Sequence, residues 1–324
     1  MKHPKFLKCL KEAKIPVLLL ALVLLAAVAV SGCKTGGSAG STSAGPKTTM
    51  KITDMTGREI VLDKKVTRVV ALAPADCEIL YALGAGSTLV GRGEYCDYPA
   101  EVQNVPAVQS GSATNVEQII ALSPQVLIMA TMDQTDEQVA ALEKAGIRVV
   151  VSDAHDIAGT YEAIELLGTL TGREKEADTL VGDMKETFAA LAVKAGAGIG
   201  KSVYFEVSPL QFGLWTAGKG SFMNEIADML KLTNIFGDVS AWAEVTEEQV
   251  IERNPDFIVT VAMYFGEGPK PEEEILSRAA WKNIKAVKNE KVLNLWNNEL
   301  SRPGPRLAEG AEMLYAFVYG DDTP

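Results

Sequence analysis

Hydrophobic and polar positions follow three different patterns along the 324 residues. The first is an apolar run from Ile15 to Val30, preceded by five lysines (Lys2, Lys5, Lys8, Lys11, Lys14) and followed by Ser31-Gly32-Cys33. The second, Lys34 to Thr49, holds Gly, Ser, Thr, Ala and Lys with one proline and no large apolar residue. The third, from about Met50 to the end, alternates short apolar runs with segments of helical period.

Within the third, Arg68-Val-Val-Ala-Leu-Ala reads as a buried strand stopping at Pro74, and Glu78-Ile-Leu-Tyr-Ala-Leu as a helix closed by Gly84. Val116 to Leu122 predicts a helix, Gln125 to Ala130 a strand, Asp136 to Ala145 a helix and Arg148 to Ser152 a strand. Such alternation implies βαβ units and a mostly parallel sheet. From Ile157 to Ala195 the pattern is one long helical stretch, since Ile164, Leu167, Leu170, Leu180, Met184, Phe188 and Leu191 recur largely at three- and four-residue spacings. Gly168 and Gly172 weaken this stretch without stopping it. The strand–helix alternation resumes at Val203 and includes a strand over Lys291 to Trp296.

An internal repeat organises these elements. Glu117-Gln-Ile-Ile-Ala-Leu-Ser-Pro-Gln-Val-Leu-Ile128 aligns without gaps to Glu248-Gln-Val-Ile-Glu-Arg-Asn-Pro-Asp-Phe-Ile-Val259. Both copies read as a short helix, a proline turn and an apolar strand. The expected fold class is therefore α/β, with two similar lobes, mostly parallel sheets and a ligand cleft between the lobes. The boundaries are 51–156 for the N-terminal lobe, 157–195 for the connecting helix and 196–324 for the C-terminal lobe.

The first two patterns set the location. A basic segment, an apolar core and small residues before a cut form a secretory signal over residues 1–32, shorter than a spanning helix prefers. Val30-Ser31-Gly32-Cys33 resembles a bacterial lipobox, in which the cysteine is acylated and becomes the new N-terminus. The alternative is an uncleaved anchor helix with an incidental cysteine. Residues 33–50 then form a flexible tether, too poor in apolar surface to fold. Either way the body is extracytoplasmic.

Charge and composition narrow the chemistry. The whole chain carries −11; residues 1–32 hold five lysines and one glutamate, a balance of +4, so their removal leaves about −15. Phosphate contacts demand Lys and Arg, so nucleic acid is not an expected partner. One histidine, His155, remains in the body, which excludes a His-rich metal site; a capping or surface role suits it better than a base. Cys77 and Cys96 remain as well, expected as two free, half-buried thiols, with pairing permitted in an oxidising compartment. No Gly-x-Ser-x-Gly elbow, Walker loop or Cys-x-x-Cys pair is present. Carboxylates are plentiful but no spacing singles out a pair, so a hydrolase or chelatase on the same scaffold stays open as the enzymatic alternative. No catalytic residue, metal or resident cofactor is expected.

Four segments then carry a family resemblance. Arg68-Val-Val-Ala-Leu-Ala-Pro-Ala-Asp-Cys-Glu-Ile-Leu, Gly93-Glu-Tyr-Cys-Asp-Tyr-Pro, Thr216-Ala-Gly-Lys-Gly-Ser-Phe and Leu300-Ser-Arg-Pro-Gly-Pro-Arg306 resemble, in the same order, the signature segments of cobalamin-binding proteins. These belong to the iron-chelate and cobalamin class of ABC-importer binding proteins. The resemblance implies two α/β lobes bridged by one rigid long helix, a corrinoid lying in the cleft against aromatic side chains, and a monomer that serves a permease dimer with its ATPase subunits. It implies lipid anchoring through Cys33 to the outer face of the cytoplasmic membrane. By the same resemblance Tyr95, Trp215 and Trp242 match ligand-facing aromatic positions, and Asn298 stands where the family has an acidic ligand contact. Arg302 is available to pair with a ligand carboxylate. A further tryptophan of the pattern is replaced near Gly111. These two departures leave haem, a ferric siderophore or a corrinoid fragment as alternative cargo.

Glu117 and Glu248 occupy equivalent repeat positions in the first turns of matching helices. Acids favour that end of a helix. With Asn115 and Thr246 as N-caps, Gln118 and Gln249 become the capping-box partners, leaving both glutamates to point outward. In the resembling family a glutamate of each lobe docks onto permease arginines, and these two match.

Overall fold

The computed structural model describes residues 49–131, 135–197, 200–262, 264, 266, 268–295 and 298–320. The signal segment, Cys33 and the tether up to residue 48 lie outside the described residues. The chain enters through β1 (Met50–Thr53) and β2 (Glu59–Leu62), an antiparallel ribbon. It continues through β3 (Val69–Ala71), α1 (Pro74–Ala82), β4 (Leu89–Gly93), β5 (Ala107–Val108), α2 (Val116–Ala121), β6 (Val126–Met129), α3 (Asp136–Lys144) and β7 (Arg148–Val151). These five later strands form a parallel sheet in the order β5-β4-β3-β6-β7.

Two helices follow, α4 (Ile157–Thr171) and α5 (Glu174–Ala195). The second lobe comprises β8 (Ser202–Glu206), β9 (Trp215–Ala217), α6 (Phe222–Met229), β10 (Thr233–Asn234), β11 (Trp242–Glu244), α7 (Glu247–Arg253), β12 (Phe257–Thr260), α8 (Pro271–Ser277), α9 (Lys285–Lys288), β13 (Val292–Asn294) and α10 (Leu307–Tyr319). Its main sheet is parallel, β10-β8-β12-β13, and β9 pairs with β11 as an antiparallel ribbon. The central strands β6 and β12 are buried at every position, as expected when helices cover both faces of a parallel sheet.

The repeat is carried into three dimensions. Helix α2 corresponds to α7, and β6 corresponds to β12 at a constant offset of 131 residues. Between helix and strand, Ser123 and Asn254 both adopt a left-handed backbone, at φ 48° and 46°. Strand β6 lies between β3 and β7 just as β12 lies between β8 and β13. The fold class is the α/β one expected, with two similarly wound sheets.

The connection differs from the single helix the spacing predicted. Gly172 takes φ 68°, a conformation that costs glycine little, and ends α4. Arg173 then starts α5, the 22-residue helix. The two pack on each other at Gly168, where an added Cβ would lie 2.6 Å from the Ala177 Cβ. The apolar periodicity persists through the break because both helices bury one face against the same core. That core runs through both lobes, from Ile79 and Leu80 of α1 through Leu167 and Met184 to Ile226 and Leu314. Separate apolar clusters back the outer face of each sheet.

Cys77 and Cys96 are free thiols. Both are fully buried rather than half-buried, with Sγ atoms 3.8 and 3.7 Å from the Ala71 and Leu72 carbonyls. Among the described residues, no helix is long and apolar enough to cross a membrane.

Candidate functional site

In open parallel sheets, ligands gather at the carboxyl ends of the strands. In the first lobe the chain leaves that end of β4 as Glu94-Tyr95-Cys96-Asp97-Tyr98, closed by a cis Tyr98–Pro99 bond. Tyr95 is 63% exposed and Tyr98 39%. In the second lobe the chain leaves β8 into a hairpin whose tip carries Phe212 and whose return strand, β9, starts at Trp215. These side chains are 75% and 41% exposed. Among the described residues, the four exposed aromatics are these. A shallow depression of about 350 Å³ lined by Lys65, Thr67, Gly84, Ser87 and Arg173 lies at the opposite end of β3, and no aromatic lines it.

Trp215 and Trp242 are brought together by the β9–β11 ribbon. Trp242 pairs with Ala217 and Glu244 with Trp215. Opposed residues share a face, as do residues two apart on one strand, so the tryptophans stand diagonally on the same face. Trp242 is half-buried, its ring edge-on to Phe222 with centroids 5.5 Å apart. Phe222 is part of the shared core, so Trp242 is braced from behind.

Arg302 is buried, not open to a ligand. Its Nη1 donates to Glu78 Oε1 at 2.9 Å and to Asp97 Oδ1 at 2.6 Å, and its Nη2 to the Tyr95 carbonyl at 3.3 Å. Burial works against its charge, but the two carboxylates outweigh that and raise its pKa further above the usual range. Arg306 grips Glu78 from the other side, with Nε at 2.8 Å from Oε2 and Nη2 at 2.6 Å from Oε1. Its guanidinium lies 4.0 Å from the Tyr98 ring centroid. Two arginines of the second lobe thus clasp one buried glutamate of the first, and position the Tyr95 loop through its backbone.

Asn298 is also buried, with φ 68°. Asparagine tolerates that conformation better than most residues, and its Oδ1 accepts from Ser301 Oγ at 3.0 Å. Its role in this structure is to shape the turn that delivers Arg302 and Arg306. Two further bonds join the lobes: Phe222 N to the His155 carbonyl at 3.0 Å, and Ile157 N to Glu225 Oε2 at 2.8 Å. His155 itself is exposed, with Nε2 3.5 Å from Asp153 Oδ2.

Glu117 and Glu248 are both exposed, and no ion-pair partner is found for either among the described residues. Helix α7 carries the full capping box of Thr246 and Gln249. Its own backbone N–H and the Thr246 hydroxyl hold the Glu248 carboxyl below the usual carboxylate range. Helix α2 is capped differently. Asn115 accepts from Gln118 N, but the Gln118 side chain accepts from Gln109 N at 3.1 Å instead of from Asn115.

Residue-by-residue reading missed Glu78, Asp97 and Phe212. For Glu78 the signal was an acid inside an apolar run, which demands cationic partners if buried; Arg302 and Arg306 supply them from more than 220 positions away.

A family model described as periplasmic binding protein matches residues 69–298. The chain is 34% identical over 310 residues to an uncharacterized ABC transporter substrate-binding lipoprotein, YvrC, of Bacillus subtilis (strain 168), covering 93% of this chain and 96% of that one. It is 32% identical over 251 residues to the vitamin B12-binding protein of Salmonella paratyphi A, covering 76% and 88%. A solved structure of a possible iron-binding (periplasmic solute-binding) protein from Staphylococcus epidermidis ATCC 12228 aligns at 32% identity and TM-score 0.64, covering 79% of this chain and 100% of that one.

Proposed function

The chain belongs to the periplasmic binding protein family, and from that premise we propose that it is the extracytoplasmic receptor of an ABC importer, holding cobalamin or a related corrinoid between its lobes. The observation that carries this reading is the placement of the exposed aromatics. Tyr95 and Tyr98 on one lobe, with Phe212 and Trp215 on the other, all leave the ligand-bearing ends of the strands. A corrin ring is broad and flat, and aromatic faces bind such a surface with few polar contacts. Trp242 supplies the rigid part of that surface and Tyr95 the part held by Arg302. Likeness to a vitamin B12-binding protein supports the ligand class.

Haem or a ferric siderophore is the second reading. The exposed phenols of Tyr95 and Tyr98 favour it, since tyrosinate is an axial ligand for ferric haem. Calorimetric titration of the soluble body with cyanocobalamin, haemin and a ferric hydroxamate separates these options. The described residues from 49 to 320 carry their own apolar core, so the signal and tether can be left off. Saturable 1:1 binding of cyanocobalamin is expected, with Tyr95→Ala and Trp242→Ala each weakening it about tenfold or more. Tight binding of haemin alone would transfer the assignment to haem, and product formation without a stable complex would point to an enzyme.

Delivery is part of the same proposal. Cys33 carries the lipid that holds the protein at the outer face of the membrane; Cys33→Ser should release it into the medium. Glu117 and Glu248 face the two subunits of the permease dimer. Reversing both charges to arginine should abolish uptake of cyanocobalamin while leaving its affinity for the free protein unchanged; intact uptake would remove both residues from the docking surface.

A further inference from the structure

Exposed aliphatic side chains are few among the described residues, and two of them are isoleucines at equivalent repeat positions. Ile120 of α2 is 39% exposed and Ile251 of α7 is 37% exposed, and the offset between them is the 131 residues that relate the two lobes. Each stands three positions after a docking glutamate, Glu117 or Glu248, so acid and aliphatic share one helix face. The residue just before each, Ile119 or Val250, is fully buried and plugs its helix into the lobe. The left-handed Ser123 and Asn254 and the buried strands behind them place both pairs on the same scaffold. Single exposed aliphatics need no explanation. A duplicated one, matched in burial and in its acidic neighbour, is a shared surface feature.

We propose that Ile120 and Ile251 are the apolar anchors of the docking face, one per lobe, for the two-fold-symmetric permease. This rests on the reading of the protein as an importer's receptor. An arginine or lysine has an apolar stem and a charged head. Seated on each pair, its stem covers the isoleucine and its head meets the glutamate. A partner built from two identical subunits offers one such cation to each lobe. Because each helix runs antiparallel to the strand that follows it, its glutamate lies toward the carboxyl ends of the strands, on the side where the exposed aromatics stand. Docking there brings the ligand to the permease.

The test uses the soluble body and the host's own permease–ATPase complex in lipid nanodiscs, with affinity measured by biolayer interferometry. Ile120→Ser and Ile251→Ser should each weaken the complex about tenfold, and together about a hundredfold, because sites on separate lobes add. Ile120→Leu with Ile251→Leu should retain affinity. Melting temperature and cyanocobalamin affinity should stay at wild-type values in all of them. If the double serine variant docks as tightly as wild type while Glu117→Gln with Glu248→Gln does not, the anchors are wrong and the glutamate docking stands. Wild-type docking by both variants would overturn the whole face. Equal binding of the wild type to empty nanodiscs would make the contact a lipid one and overturn the proposal. Absence of any complex with the permease would sink the receptor reading itself.

Discussion

Asp76, in the first turn of α1, has a fully buried carboxyl, and its Oδ2 has no hydrogen-bond partner among the described residues. Burial pushes its pKa up to about 7; a hydrogen bond with Ser152 opposes this, and the nearby Asp153 charge adds to it. In the unfolded chain a carboxyl titrates near ~3.9. The folded state therefore holds the proton more tightly, and this group's stabilising contribution, fully present below about pH 4, is lost as pH rises toward 7. Asp76→Asn should be more stable than wild type at pH 8, with the difference shrinking as pH falls to 5, at up to ~1.4 kcal/mol per pH unit. Calorimetric melts at pH 5, 6, 7 and 8 read this directly, and a pH-independent difference would refute it. That Asp76 and Glu78 are buried was not legible from the sequence. Their neighbours Ile79 and Leu80 announce a helix, but the wall that excludes water from Glu78 is the Arg302–Arg306 segment, whose approach depends on tertiary folding. Tyr95, by contrast, lies in Gly93–Pro99, one of the four segments that carry the family resemblance.

Strand and helix alternation was readable because β6 and β12 are continuous apolar runs and α2 and α7 begin with good caps. The break at Gly172 was not, since the same apolar spacing serves one helix or two that share a core. Gly168 gives this corner a measurable consequence. Alanine favours a helix interior by ~1 kcal/mol over glycine, yet its Cβ would stand 2.6 Å from that of Ala177. Overpacking typically costs ~1–3 kcal/mol, so Gly168→Ala should lower the urea midpoint; a raised midpoint would mean that the two helices can part. The caps make a second contrast. Thr246→Ala should cost ~1 kcal/mol. Gln118→Ala should instead loosen the Gln109 segment, seen as faster amide exchange at Gln109 with little change in α2.

At the scale of the whole molecule, the two lobes are bolted together by the Glu78 clasp and by the bonds at His155 and Ile157. Breaking a buried ion pair by removing one partner costs ~3–5 kcal/mol, against a total stability of ~5–15 kcal/mol for a typical protein. Glu78→Gln leaves two buried guanidinium groups without their shared carboxylate and should remove roughly a fifth or more of that stability. Small-angle scattering should find the wild-type radius of gyration unchanged by cyanocobalamin. In Glu78→Gln it should be larger before ligand is added. Lobe closure in the wild type on the scale of several ångströms would contradict this. The two-lobe plan was visible in the repeat, but the bolt was not, because its halves lie in different lobes and meet only when both have folded.

The buried cysteines have a practical side. With Cys77 and Cys96 both inaccessible, a soluble body lacking Cys33 presents no thiol to reagents in its native state. One cysteine introduced at an exposed site, such as Ala121 beside Ile120 or Gln211 beside Phe212, would be the sole target for maleimide chemistry. The protein is in that sense already a blank surface for a single dye, and a reporter placed on either face would carry signal from that face alone.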